Sequence, residues 1–297
     1  MPRTRPPTTR AEPVTRVAAV LGHPVAHSLS PVLHRAAYAA LGLTHWRYEI
    51  HDVDEPELGG FLAGLDDTWV GLSLTMPLKQ VALRSVDVVQ PLAQAVGAVN
   101  TVLLQPGGLT VGTNTDVHGL VQALREAQPV GVPDGASLTA GVIIGGGATA
   151  ASALAALGEL GVRRPTVAVR SIGRAGTVLR AAAAMGLEPQ LVTLGTDRAT
   201  GALRDAEVVV STVPGGASAT LAPMLAGLSL DPRQVLLDVV YEGWPTPLPS
   251  QWSASGGSVA PGYLMLLHQA CEQVRLMTGR PAPEAAMRAA LLAAVGD

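Results

Sequence analysis

Residues 142–150 read VIIGGGATA, with LTAG before them (138–141) and ASALAALGELG after (151–161). The apolar, β-branched run ahead of Gly145 suits a fully buried strand. The run after Gly147 is rich in alanine and leucine and suits a helix packed close against that strand. Gly145, Gly146 and Gly147 let the backbone turn tightly between the two. That leaves the free amides and the positive end of the helix facing whatever anion approaches. A glycine cluster alone is also an ordinary strand-to-helix turn, but strand before and helix after point to a dinucleotide pyrophosphate site.

Working outward, VAVRSIGR (167–174) ends the next strand, where such folds read the adenosine ribose. An acid there would bind a free 2′-hydroxyl. Arg170, Ser171 and Arg174 stand there instead, and guanidiniums suit a 2′-phosphate, hence NADP. The alternative is two solvated arginines in an arginine-biased chain. AGTVLRAAAAMG (175–186) reads as a helix, while AEVVVSTVPGG (206–216) and QVLLDVVY (234–241) read as buried parallel strands. PGYLMLLHQACEQVRLMTG (261–279) and PEAAMRAALLAAV (283–295) read as terminal helices.

Upstream, VAAVLGHP (17–24), WRYEIHDV (46–53) and WVGLSLTMP (69–77) read as strands, separated by helices over 30–42 and 57–65. Ser30 is the expected N-cap of the first helix, with Pro31 in its first position and Gly42 at its end. AVGAVNTVLL and LTVGTNTDV read as two strands joined by QPGG. The chain is therefore α/β, an alternating series that favours largely parallel sheets covered by helices.

Composition narrows the function. The chain has 297 residues, 48% hydrophobic and 14% charged, enough apolar material for sizeable cores. The net charge of -3 gives no basic field, so nucleic acid is not an expected partner. The start, MPRTRPPTTRAEP, reads as a loose tail over residues 1–13, and the apolar stretches are too interrupted for membrane spans. Cys271, the single cysteine, cannot pair internally and fits a reducing, cytoplasmic setting. Nineteen of twenty basic residues are arginine, and Lys79 is the only lysine. Arginine stays protonated, whereas an ammonium can release its proton, so this position stands out as a proton donor.

Thr75 and Lys79 follow one strand, Asn114 and Asp116 follow another, and Asn100 and Thr101 lie in a third segment. Ligands of α/β sheets gather beyond strand ends, so these small polar residues are expected at one crevice. Each taken singly is as well read as a turn residue or helix cap. Gln269 on the apolar helix can turn its amide into that crevice, with Met265, Leu266 and Leu267 as the buried face. His23 and His27 have no evident third ligand, so no metal is expected, and Cys271 reads as core.

These segments, in this order, resemble the shikimate dehydrogenase family: HSLSP (27–31), SLTMPLK (73–79), GAVNT (97–101), GTNTD (112–116), the glycine turn, STVP (211–214), DVVYEGWPTPL (238–248) and GYLMLLHQA (262–270). The resemblance implies NADPH-dependent reduction of 3-dehydroshikimate to shikimate, with Lys79 and Asp116 as the catalytic pair. It implies Ser28, Ser30, Thr75, Asn100, Asp116, Tyr241 and Gln269 around the substrate. It implies Gly145, Gly146, Gly147, Ala148, Thr149, Arg170, Ser171, Arg174, Val239 and Gly262 around the cofactor. The implied organisation is a substrate-binding domain over 14–116 and 262–297 and a Rossmann-type NADP domain over 117–261, in a monomer or homodimer. Ser73 departs from the family's asparagine, Ala148 from a common glycine and Val169 from an asparagine. Rival readings are a quinate/shikimate dehydrogenase preferring NAD and a non-catalytic dinucleotide-binding module.

Overall fold

Alternating strand and helix patterns in the first half build one six-stranded sheet. In the computed structural model, which describes residues 16–128 and 137–296, it begins with β1 (Arg16–Gly22), α1 (Ser30–Ala40), β2 (Trp46–Asp52), α2 (Leu58–Ala63) and β3 (Trp69–Leu74). The expected tail over 1–13 lies outside the described residues. There follow α3 (Leu78–Val81), β4 (Val88–Val89), α4 (Pro91–Val96), β5 (Thr101–Leu104) and β6 (Thr110–Thr113). The strand order is β2-β1-β3-β5-β6-β4, with β1 parallel to both β2 and β3.

β5 alone runs against both of its neighbours, with Thr101 opposite Ser73 of β3 and Thr113 of β6. Its amino end therefore lies at the edge where β3 and β6 finish. That reversal brings Asn100 to the crevice ahead of a strand, whereas Thr75 and Asp116 arrive behind one.

α5 (Asp116–Glu126) leads to the second sheet. Its elements are β7 (Gly141–Ile144), α6 (Ala148–Glu159), β8 (Thr166–Val169), α7 (Gly176–Met185), β9 (Gln190–Thr193), α8 (Asp197–Asp205), β10 (Val208–Ser211), α9 (Gly215–Leu221), β11 (Val235–Asp238), α10 (Pro247–Ala254) and β12 (Ser258–Pro261). All pairings are parallel, in the order β12-β11-β10-β7-β8-β9. The strands VVVS and VLLD are buried throughout, as continuous apolar runs covered on both faces require. Successive crossovers run outward on opposite sides from β7 and β10, which opens a crevice at the carboxyl ends of those two strands.

The last two helices, α11 (Gly262–Thr278) and α12 (Glu284–Val295), return to the first sheet. Leu267, Ala270, Val274 and Met287 share a core with Ala18, Val20, Leu33 and Tyr48. α11 also lies unusually close to α5: a Cβ on Gly119 would stand 2.7 Å from Met265 O and 2.9 Å from Gln269 Cβ. Only glycine permits that approach, and it delivers Gln269 to the start of α5. At the far end of α5, Glu126 accepts from His268 of α11 at 2.8 Å and from Arg288 of α12 at 2.8 and 2.9 Å.

One local expectation is corrected. α1 begins at Ser30 itself, with Leu29 in the cap position. Ser28 Oγ, two residues earlier, accepts the Ser30 N–H at 3.3 Å, so the capping oxygen comes from Ser28. Among the described residues no helix is long and apolar enough to cross a membrane.

Candidate active site

Three chain segments that share no local pattern meet around Asp116. Lys79 Nζ, from α3, donates to Asp116 Oδ2 at 2.7 Å, and Asn100 Nδ2 donates to Oδ1 at 2.8 Å. The lysine and aspartate side chains are 17% and 5% exposed, so solvent screens the pair poorly. Asp116 is the first residue of α5, where an acid complements the helix dipole. The Thr115 backbone N–H donates to Asn100 Oδ1 at 2.7 Å, and Thr101 Oγ1 does so at 2.8 Å. A backbone amide can only donate, so the asparagine's oxygen must face it and its NH₂ must face Asp116.

One cavity between the two sheets is lined by Ser28, Ser30, Thr75, Lys79, Asn100, Asp116, Tyr241 and Gln269, all of the expected substrate residues. Thr149, Val239 and Gly262 of the cofactor set also line it, and Val20, Leu74, Met265 and Leu266 add apolar surface. The wall thus offers hydroxyls, amides and one ion pair with a small apolar surface, which suits a compact polyhydroxylated ligand with a reacting oxygen near Lys79. Burial, and then the neighbouring Glu242, push the Tyr241 phenol above its ordinary range, so it remains a neutral donor.

Beside this cavity lies the glycine turn. Gly145 has φ +127°, and a Cβ there would collide with Thr212 Oγ1, so the switch-point crossing of β7 and β10 demands glycine. A Cβ on Gly147 would meet open space, on the side where α6 begins. Gly262 is equally constrained, since a Cβ would run into the Asp238 carbonyl. Arg170, Ser171 and Arg174 are exposed just past β8, and a Cβ on Gly146 would lie 3.7 Å from Arg174 O. Among the described residues neither guanidinium has an ion-pair or hydrogen-bond partner. An open glycine turn at a helix start, with two uncommitted cations alongside, fits a dinucleotide carrying an extra phosphate.

Some sequence expectations fall elsewhere. Asn114 does not line the cavity: its Nδ2 donates to Ala98 O at 2.9 Å and its Oδ1 accepts the Val117 N–H at 3.2 Å, which ties the start of α5 to the preceding loop. Thr101 stands behind Asn100. Cys271 packs against Met287, with Sγ 3.7 Å from Sδ, and burial pushes its thiol up to about 12, as for a core residue. His23 pairs with Asp52 at 2.5 Å. Ser73 does line the cavity, and so does Gln273, which sequence reasoning missed. The signal for Gln273 was available: it lies one helical turn beyond Gln269 on an apolar helix.

A doubly covered parallel sheet with a glycine turn at its switch point, opening on a polar pocket built around a lysine, defines a dinucleotide-dependent oxidoreductase. Residues 20–102 match the shikimate dehydrogenase substrate binding domain, and residues 262–292 match the shikimate 5′-dehydrogenase C-terminal domain. The NADP(+) shikimate dehydrogenase of Citrifermentans bemidjiense is 38% identical, over 94% of this chain and 95% of that protein. The crystal structure of Mycobacterium tuberculosis shikimate dehydrogenase superposes with a TM-score of 0.83 at 40% identity, covering 94% of this chain and 99% of that one. The Thermus thermophilus enzyme, solved with NADP(H) and shikimate, gives 0.78 at 33% identity over 94% and 99%. The chain belongs to the shikimate dehydrogenase family.

Proposed function

We infer that this chain catalyses the NADPH-dependent, reversible reduction of 3-dehydroshikimate to shikimate. The observation that carries the inference is the Lys79–Asp116 pair, 2.7 Å apart in a cavity that gathers all the polar residues expected around such a substrate. Bound NADPH supplies the hydride for the C3 carbonyl. Lys79 stabilises the alkoxide charge that develops on the C3 oxygen and gives it a proton; in the reverse direction it holds the proton taken from that hydroxyl. Asp116 orients the ammonium and accepts from a neighbouring substrate hydroxyl. Ser28, Ser30, Thr75, Asn100, Tyr241 and Gln269 hold the remaining hydroxyls and the carboxylate. Gly145, Gly146, Gly147, Ala148 and Thr149 would cradle the pyrophosphate, Arg170, Ser171 and Arg174 the 2′-phosphate, and Val239 and Gly262 the nicotinamide end.

This reading divides the chain into a substrate unit, 14–116 with 262–297, and a cofactor unit, 117–261. It places the enzyme in the cytoplasm as a monomer or homodimer, in keeping with the unpaired Cys271. The test is the initial rate of dehydrogenation of shikimate and of quinate, each with NADP and with NAD, read as absorbance of the reduced cofactor. Turnover confined to shikimate and NADP supports the assignment. A preference for quinate and NAD overturns it in favour of a catabolic enzyme, and no turnover with any pair overturns it in favour of a binding module.

A further inference from the structure

The hydrogen bonds around Asp116 do not end at Asn100. Gln273 Nε2 donates to Thr101 Oγ1 at 2.9 Å, and Gln273 Oε1 accepts from Ser73 Oγ at 2.8 Å and lies 3.2 Å from His34 Nε2. Ser73 Oγ in turn accepts from Tyr48 OH at 2.6 Å, and Tyr38 OH lies 3.4 Å from His34 Nδ1. Gln273 is 1% exposed and His34 0%, and His34 stacks on Tyr48 with ring centroids 4.0 Å apart.

The direction of this chain follows from one backbone amide. Thr115 N–H requires Asn100 Oδ1 to accept, so Thr101 Oγ1 must give its only hydrogen to that same oxygen. Thr101 can then only accept from its other side, which requires the NH₂ of Gln273. The amide oxygen of Gln273 consequently faces Ser73 and His34, and both of these donate to it. Every bond from Tyr48 through Ser73, Gln273, Thr101 and Asn100 passes its hydrogen toward Asp116. Asn100 and Gln273 each carry a donor and an acceptor fixed on a planar amide; the Thr115 backbone amide pins Asn100, so Gln273 is where the sense of the chain can be reversed.

We propose that Gln273 is a positioning residue of the reaction: it locks Thr101 and Ser73 so that Asn100 is held on Asp116 and the inner cavity wall presents a fixed hydroxyl. The proposal rests on the activity assigned above. A residue of this kind changes both turnover and substrate affinity, whereas a residue that only supports folding lowers the active fraction and leaves KM alone.

The test compares Gln273→Leu, Gln273→Glu and Thr101→Val with the wild type. The readouts are steady-state shikimate kinetics at saturating NADP, NADPH affinity by fluorescence, and thermal unfolding. Gln273→Leu is expected to lower kcat/KM for shikimate about 10- to 100-fold, shared between kcat and KM, with NADPH affinity unchanged. Gln273→Glu, almost the same shape, loses at least as much, because a carboxylate draws the Thr101 hydrogen away from Asn100. Thr101→Val, a smaller change that keeps the test open if the glutamine variants fold poorly, reproduces the loss. The Thr101→Val/Gln273→Leu double variant is no worse than the more severe single, as members of one chain require. Wild-type kcat and KM in Gln273→Leu, a mild Gln273→Glu, or losses that multiply in the double variant overturn the proposal while the wild type remains active. A wild type that does not turn over shikimate overturns the assignment of activity, and this proposal with it.

Discussion

Replacing Lys79 by methionine keeps the length of the side chain and removes its charge and its proton. In the wild type, Asp116 is 5% exposed and has a partner on each oxygen, Lys79 at 2.7 Å and Asn100 at 2.8 Å. Lys79→Met leaves Oδ2 unpartnered beside apolar surface. Breaking a buried pair from one side costs about 3–5 kcal/mol, and the 17% exposure of the lysine places this case toward the lower figure. Turnover should fall further than stability, because a positioned proton donor contributes about 10²- to 10⁴-fold to the rate. Shikimate affinity should stay within about tenfold, since the donor acts mainly in the transition state. The double variant Lys79→Met/Asp116→Asn separates the two effects. It should regain most of the lost stability, because no buried charge is left unpaired, and regain none of the rate. Urea unfolding followed by circular dichroism gives the first quantity and single-turnover kinetics the second. A Lys79→Met enzyme turning over within about threefold of wild type would refute the assignment of the proton donor. A double variant no more stable than the single would refute the argument from the unpaired carboxylate.

Three further outcomes follow from the same structure. Burial lowers His34 from 6.5 to about 4, so the unfolded chain binds a proton that the folded one does not between those values; stability then falls as pH drops from 6.5 to 4, by about 3 kcal/mol from this group, and His34→Gln should flatten that part of the unfolding profile by close to one proton. An unchanged slope would remove His34 as the source. Arg170→Ala with Arg174→Ala should raise KM for NADP about tenfold or more and leave KM for NAD nearly unchanged, because only the former carries the 2′-phosphate; equal effects on both cofactors would show that the arginines do not read that group. Gly145→Ala, which forces a Cβ at φ +127° into Thr212, should abolish NADPH binding measured by fluorescence, and a variant that binds normally would contradict the role of the turn.

The legibility of the fold varied with local pattern. Long apolar or amphipathic runs such as VIIGGGATA, QVLLDVVY and the helix over 262–278 are readable because a buried strand or helix face must be continuous in sequence. The two-residue strand β4 and the four-residue α3 carry too few residues to show any period, and they exist because neighbouring elements hold them. Ser30 reads as a cap because serine before proline has that appearance, but the helix starts one residue earlier: the Val32 and Leu33 amides that a Ser30 cap would take go to the Leu29 carbonyl, and the Ser30 amide goes to Ser28 Oγ. Asn114 reads as a site residue by its adjacency to Asp116, yet adjacency does not say which way a side chain turns, and its amide faces Ala98 and Val117.

By itself, the sequence determined the alternating α/β class, the phosphate turn at Gly145, the arginines beyond the next strand and the singular status of Lys79. All of these are properties of contiguous residues or of residue chemistry. Only the tertiary structure decided that β5 runs backward, that Gly119 lets α11 approach α5, and that Asn100, Thr101 and Gln273 form one directed chain ending on Asp116. Residues 172 positions apart cannot signal their contact through local periodicity. The direction of a hydrogen-bond chain depends on which partners surround each group, and packing alone supplies them.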